Sequence, residues 1–195
     1  MTGADSEVGR ERVQYPGGIS ARFRWGRSGR ADDVFGITEI TGTLTDYASI
    51  AGDSTSASRR VCRAELRVES PVAAWTARFA SDVYDTPQGV LWDTPGLLLV
   101  KYGFHLYALR ARTGELAWSY VTGTPALAVL SSTRLEHVLL QTELETLALR
   151  DDGDVAWRAA HSDVITDAQL IAGRLDLTTY GGQHVYLDAR TGQAA

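Results

Sequence analysis

Histidines are the residues of this 195-residue chain whose spacing can be tested most directly against metal chemistry. The four lie far apart, at His105, His137, His161 and His184. None falls in an H-x-x-x-H or H-E-x-x-H spacing, which would bring two imidazoles to one zinc ion. His105 and His184 precede the same predicted strand in two copies of a repeat, so we expect both at the same rim. The pattern favours exposed or hydrogen-bonded strand-end histidines over a metal site.

Acidic residues form two groups that contain oxygen ligands. One group is Asp82, Asp85 and Asp93, and the other is Asp151, Asp152 and Asp154. The second group lacks the remaining ligands of a twelve-residue calcium loop, and its Gly153 suits a hairpin turn. We therefore predict no metal site.

Nucleophilic and phosphate-binding motifs are equally sparse. Cys62 is the single cysteine, and we expect it to be a small core residue, although nearby arginines would lower its thiol pKa. Lys101 is the single lysine and is expected to point outward from a strand. The Gly-Gly pairs at 17–18 and 181–182 do not stand between a strand and a helix, as a phosphate loop requires. The sequence predicts no catalytic residue and no cofactor.

The elements that would position any site are built from a repeat. Tyr107–Trp118 reads as a strand, a tight polar turn and a second strand that ends in tryptophan. Thr146–Trp157 repeats this stretch, Val185–Gln193 repeats its first part, and Ala64–Trp75 is a degenerate copy. The tryptophans that end the copies, Trp75, Trp118 and Trp157, are spaced by 43 and 39 residues. This is the period of a four-stranded propeller blade.

The repeated positions have structural explanations. The turn glycines occupy a position that requires a positive φ; they are Gly114, Gly153 and Gly192. The strand before the turn carries large alternating residues, Tyr107 and Tyr186 among them, and small alanines, Ala108 and Ala148, on its other face. Each tryptophan is expected to place its ring between adjacent blades, burying about 150–250 Å². The predicted site residues are therefore structural residues of the repeat.

These stretches resemble the quinoprotein-type, or PQQ-like, β-propeller repeat, which reads roughly YALD-x-x-TG-x-x-x-W. The resemblance covers residues 60–195 and implies a fold, not a chemistry. Quinoprotein enzymes of this type are longer chains with seven or eight blades, a calcium site, a catalytic aspartate and often adjacent cysteines. This chain has one cysteine and about four predicted blades. The resemblance therefore implies the propeller repeat without the enzyme site.

The predicted architecture is all-β, with about four four-stranded antiparallel blades in a propeller or a propeller-like arc. Residues 1–17 are predicted to be a flexible arm, and 18–195 a single domain. Its repeat units are 60–79, 80–120, 121–160 and 161–195, and 18–47 is expected to complete the ring. Because the last unit lacks its outer strand, Ile19–Trp25 is a candidate to supply it. An open arc, or closure by a second chain in a homo-oligomer, are the alternatives.

Composition limits the classes of partner. The net charge of −5 disfavours a nucleic-acid partner, which needs a basic face. Arginines do crowd the first thirty residues, at Arg10, Arg12, Arg22, Arg24, Arg27 and Arg30, but such a cluster is more typical of a solvated face or tail. No apolar run is long enough to span a membrane. A single cysteine and the absence of a visible secretory signal favour the cytoplasm.

The function predicted from these observations is a non-enzymatic binding or scaffold protein that holds a protein partner through propeller rims and loops. One alternative is a small-molecule sensor or enzyme with its ligand in the central channel. Another is an immunity or inhibitor protein that blocks a basic partner through an acidic binding face. A tight small-molecule adduct in native mass spectrometry would favour the sensor or enzyme.

Overall fold

A computed structural model describes residues 8–26, 43–44, 62–81 and 83–195. Apart from one 3-10 turn at Pro16–Gly18, every regular element of these residues is a β-strand. The all-β prediction is therefore confirmed. Within these ranges, no helix has the length and apolar character needed to cross a bilayer. The chain divides into two compact units, Met1–Pro87 with Arg112–Gly114, and Gln88–Ala111 with Glu115–Ala195, where the sequence predicted one domain over 18–195.

The first unit is built on one five-stranded sheet. Its strands are β1 (Gly9–Tyr15), β2 (Ile19–Gly26), β3 (Thr43–Leu44), β4 (Cys62–Glu69) and β5 (Ala74–Ser81). Their order is β1-β2-β4-β5-β3, with only β3 parallel to its neighbour. Period-two alternation places Phe23, Leu66 and Phe79 in the core, each with at most 1% of its surface exposed. The alternate residues of these strands lie on the opposite face.

The flexible arm predicted over 1–17 is wrong for its second half, because Gly9–Tyr15 is the strand β1. It pairs along its full length with β2 through a hairpin in which Gly17 and Gly18 have φ of 76° and 74°. Residues 1–7 lie outside the described ranges. The prediction that Ile19–Trp25 supplies the outer strand of the last repeat is also wrong. Both edges of β2 are occupied, one by β1 and the other by β4.

The second unit contains three antiparallel sheets. Sheet B holds β6 (Gln88–Trp92), β7 (Leu97–Tyr102), β8 (His105–Arg110) and β9 (Leu116–Val121). Sheet C holds β10 (Ala126–Leu130), β11 (Val138–Thr142), β12 (Glu145–Leu149) and β13 (Val155–Ala160). Sheet D holds β14 (Ile165–Ile171), β15 (Arg174–Thr179) and β16 (His184–Asp188). Each sheet follows chain order. Sheet D has three strands, which agrees with a last unit that lacks its outer strand, and a bridge from Leu187 to Ala194 lies at the fourth position. Of the predicted ring-completing segment 18–47, residues 27–42 and 45–47 lie outside the described ranges.

Sheet C is buried on both faces by its neighbours. Leu140 and Leu147 belong to a core cluster shared with sheet B. Leu139 and Ala148 belong to a second cluster shared with sheet D. All five residues of β11 are consequently buried, as expected where each sheet needs neighbours to cover its faces.

Candidate functional site

The buried hydroxyl of Thr146, on β12 of sheet C, contacts the imidazole of His161. The nucleophile and the general base of a hydrolase make the same kind of contact. The distance from Thr146 Oγ1 to His161 Nε2 is 2.8 Å. The side-chain amide of Gln141 donates to two backbone carbonyls, which leaves its Oε1 to accept the Thr146 hydroxyl proton at 2.6 Å. Because that proton is committed, His161 must donate to Thr146. A general base would accept instead, so this contact has the wrong polarity for nucleophile activation.

The protonation of His161 fits this structural role. Burial lowers the pKa of its imidazole, and the carboxylate of Glu145 only partly opposes the effect. The ring is therefore neutral near pH 7, with one N–H to donate. The network therefore satisfies the hydrogen-bonding groups of the buried Thr146 hydroxyl.

Two other reactive side chains are buried in strands. Lys101 is 6% exposed, and its Nζ donates to the carbonyl of Ala126 at 3.1 Å. The prediction that Lys101 points outward is wrong, because all six residues of β7 are buried. Cys62 is buried at the start of β4, as predicted.

Aspartate carboxylates accept hydrogen bonds from backbone N–H groups of the turns. Asp152 Oδ1 accepts the backbone N–H of Asp154 at 2.9 Å. Asp188 Oδ1 accepts those of Arg190 and Thr191, and these bonds lower the pKa of Asp188. Among the described residues, no group of three or more His, Cys, Asp or Glu side chains is placed to hold a metal ion. Asp82 lies outside those residues.

The repeat residues meet in pairs. A Cβ on Gly153 would lie 3.0 Å from the ring of Trp118, and a Cβ on Gly192 would lie 2.4 Å from the ring of Trp157. Within the first unit, a Cβ on Gly114 would lie 2.6 Å from the ring of Trp75. All three glycines have φ between 71° and 92°. Each tryptophan therefore packs on the turn glycine of the next repeat, and the three indoles are partly exposed.

The repeat tyrosines stack on histidines two residues earlier. The ring centroids of His105 and Tyr107 are 5.4 Å apart, and those of His184 and Tyr186 are 6.1 Å apart. The two histidines thus occupy equivalent strand starts. Tyr107 is 3% exposed, whereas Tyr186, on the outer strand of sheet D, is 37% exposed.

A groove of about 770 Å³ opens where loops of sheets B and C meet. Trp92, Thr94 and Pro95 line it from the end of β6 and the following turn. Residues 133–137 line it from the β10–β11 loop, and Arg150 and Asp151 from the β12–β13 turn, with Ala156 nearby. This groove is the candidate functional site.

The floor of the groove is fixed by buried contacts. Trp92 and Leu135 are both 7% exposed and belong to core clusters. His137 donates from Nε2 to the carbonyl of Ala189 at 2.8 Å and meets the Trp157 ring edge-on. Trp118 Nε1 donates to the carbonyl of Asp151 at 2.7 Å, which holds the β12–β13 turn. The groove is therefore pre-formed.

The rim of the groove is charged and exposed. Arg134 and Glu136 alternate with the buried Leu135 and His137 along the loop, so their side chains face outward. Arg150 and Asp151 are exposed on the facing turn. An apolar, rigid floor with charges of both signs around it suits a polar protein surface.

Sequence reasoning did not identify the β10–β11 loop as part of a site. The signal was present as an alternation over 133–137, in which apolar Leu135 separates two charged residues. The position of this loop in the groove depends on a contact between His137 and Ala189, which are 52 residues apart in the sequence.

No protein-family model and no curated protein matches this sequence. Among solved structures, the chain is similar to the dihydro-heme d1 dehydrogenase NirN in complex with DHE, at 13% identity and a TM-score of 0.56 over 97% of this chain and 46% of that one. It is similar to BBS1N in complex with ARL6DN, at 12% identity and a TM-score of 0.50 over 100% of this chain and 56% of that one. BamB from Moraxella catarrhalis matches at 22% identity with a TM-score of 0.47 over 60% of this chain and 38% of that one.

These matches concern the fold. The chain spans about half the length of the first two structures and less of the third. The matched structures include β-propeller proteins, so the predicted all-β, propeller-like fold class is confirmed. They include a protein bound to a small molecule and a protein bound to another protein. Function must therefore be argued from the site.

Proposed function

We propose that this propeller-like protein is a non-enzymatic binding protein that holds a protein partner in the groove of the second unit. The observation that carries the proposal is the contrast between the buried floor and the exposed rim of the groove. Trp92 and Leu135 are fixed by packing, while Arg134 and Arg150 are free to meet a partner. Arginine is one of the residue types that most often dominate binding energy at protein interfaces.

A protein partner suits the groove better than a small molecule. Small-molecule pockets are mostly apolar and contain a few polar groups that fix orientation. Here four exposed charged residues of both signs border the opening: Arg134, Glu136, Arg150 and Asp151. Such a rim steers and orients a complementary protein surface, and excludes surfaces that place like charges opposite it.

The absence of catalysis is part of the proposal. The hydroxyl of Thr146 donates a hydrogen bond to Gln141, and the Nε2–H of His137 donates one to the carbonyl of Ala189. These two side chains are therefore occupied by structural hydrogen bonds. The BBS1N structure contains ARL6DN and is an example of a similar fold in complex with another protein.

Two finer assignments belong to the same proposal. We assign the repeat to the PQQ-like type, supported by the packing of Trp118 on Gly153 and of Trp157 on Gly192. We place the protein in the cytoplasm, where the single Cys62 remains a buried thiol.

Site-specific photocrosslinking in the native host tests the proposed function. A benzophenone amino acid is introduced at Thr133, which is exposed on the groove. The matched control is Leu144, 42% exposed in the β11–β12 turn at the other end of sheet C. We expect a discrete crosslinked protein from Thr133 and none from Leu144. No protein crosslink from Thr133, or equal crosslinking from both positions, would contradict the proposal.

A further inference from the structure

One face of the first sheet carries most of its arginines. Arg10 lies opposite Arg24, and Arg12 lies opposite Arg22, across β1 and β2. Arg22 in turn lies opposite Arg67 on β4. Residues that lie opposite one another, or two apart on a strand, share a face. The arginine face is defined by Arg10, Arg12, Arg22, Arg24, Arg63, Arg67 and Arg78.

Two glutamates on the same face neutralise part of this charge. The fully buried Glu65 accepts Arg67 Nε at 2.7 Å and Arg78 Nε at 3.3 Å. Glu69 forms an ion pair with Arg22. These pairs hold part of the arginine face in a fixed geometry and leave it with an excess of positive charge.

The excess is concentrated near β1. Arg10 and Arg24 form no hydrogen bond or ion pair with any described residue, and Arg24 Nε is buried without a partner. Arg12 Nε donates to Ser20 Oγ at 3.2 Å, and the Gln14 amide oxygen, in the orientation that satisfies its hydrogen bonds, accepts from Arg12 Nη2 at 3.1 Å. These three arginines line a groove of about 570 Å³ together with Glu11, Arg22, Phe23 and Arg67. Among the described residues that line it, Glu11 is the single carboxylate beside five guanidinium groups.

We infer that the arginine face binds an extended acidic segment of a partner protein. Arginine presents a planar fork that matches a carboxylate in bidentate geometry. Arg10 and Arg12 are two residues apart on one strand, and so are Arg22 and Arg24, which spaces the forks by about 6.6–6.8 Å. Alternate side chains of an extended peptide have the same spacing, so a segment with a carboxylate at every second position fits.

The composition of the face disfavours other anionic partners. None of its residues on β1, β2, β4 and β5 is aromatic, and Phe23, which also lines the groove, is only 1% exposed. Binding of single-stranded nucleic acid relies on stacking of bases on accessible aromatic rings. It also offers no exposed large apolar side chain to enter a lipid surface. This surface belongs to the first unit, so the inference does not depend on the groove of the second unit.

Fluorescence anisotropy with the full chain tests the inference. The probe is a rhodamine-labelled peptide with glutamate at alternate positions, separated by threonine. We expect saturable binding at low salt that weakens as salt is raised. Arg10→Gln combined with Arg24→Gln should weaken binding about tenfold, since two charge-assisted contacts are lost. The matched control, Arg110→Gln with Arg190→Gln, removes two exposed arginines of the second unit and should change the affinity less than about twofold.

Further probes decide between partner classes. A peptide of the same composition with contiguous glutamates should bind more weakly, because half of its carboxylates face away. Failure of the alternating peptide to saturate, equal binding of both peptides, or equal losses in both double variants would overturn the inference. So would tighter binding of a single-stranded oligonucleotide or of phosphatidylserine vesicles. If circular dichroism shows that the Arg10 and Arg24 variant is misfolded, Arg10→Lys with Arg24→Lys keeps the charge, and should still weaken binding by losing the forks.

Discussion

The packing of a tryptophan on the turn glycine of the next repeat predicts a specific cost for Gly192→Ala. Gly192 has φ of 71°, and an added Cβ would lie 2.4 Å and 2.7 Å from two carbons of the Trp157 ring. Carbon atoms in favourable contact are about 3.5–4.0 Å apart. Either the indole or the turn must therefore move.

The magnitude has two parts. An L-residue at positive φ costs about 1–2 kcal/mol, and overpacking against the ring adds about 1–3 kcal/mol. Gly173→Ala measures the positive-φ cost alone, because Gly173 has φ of 85° and nothing lies within 4 Å of its added Cβ. We expect Gly192→Ala to lower the free energy of unfolding by about 2–5 kcal/mol, and Gly173→Ala by about 1–2 kcal/mol.

Urea denaturation of the two single variants and of a double-mutant cycle with Trp157→Ala measures both parts. With the indole removed, Gly192→Ala should cost no more than Gly173→Ala. Equal destabilisation by the two glycine variants in the wild-type background would refute the packing argument. So would a Gly192→Ala cost that is unchanged when Trp157 is removed.

Three further perturbations test the packing and the hydrogen bonds. Trp118→Phe should cost about 1 kcal/mol in urea denaturation, because it removes the 2.7 Å bond to the Asp151 carbonyl; an unchanged midpoint would contradict that bond. Leu139→Ala should cost about 2–5 kcal/mol, whereas Leu144→Ala at an exposed turn should cost less than about 0.5 kcal/mol. The pKa of His161 is lowered on folding, so the stability it contributes is present above about pH 6.5 and is lost as pH falls through the folded value. Unfolding measured from pH 8 to pH 5 should show a smaller decrease for His161→Gln than for wild type, and identical slopes would contradict the assignment.

The repeat was predictable because its determinants are local. The stretches Tyr107–Trp118 and Thr146–Trp157 each contain two strands and their turn within twelve residues. The glycine at the turn and the alternation around it are visible without knowledge of distant contacts.

Other features depend on contacts that sequence separation conceals. The strand β1 has a weak apolar alternation, since Val13 and Tyr15 are the large apolar residues on the face away from its arginines and Glu11 shares that face. The strand is specified by its pairing with β2. The burial of Lys101 depends on an acceptor at Ala126, 25 residues away. The arginines of the first thirty residues were visible as a cluster, but their common face follows from strand register.

The central claim is that the groove of the second unit holds a protein partner. Quantitative affinity capture from the native host compares wild type, Arg134→Glu at the groove rim, and Arg158→Glu on β13 as a control with the same change of charge. Both arginines are exposed, Arg134 in the β10–β11 loop and Arg158 on β13. Arg158 pairs with Glu145 and donates to Tyr120, and it does not line the groove. We expect one protein to be retained by wild type and by Arg158→Glu at equal stoichiometry, and at least tenfold less of it by Arg134→Glu. Equal recovery by all three, or no specifically retained protein, would contradict the account.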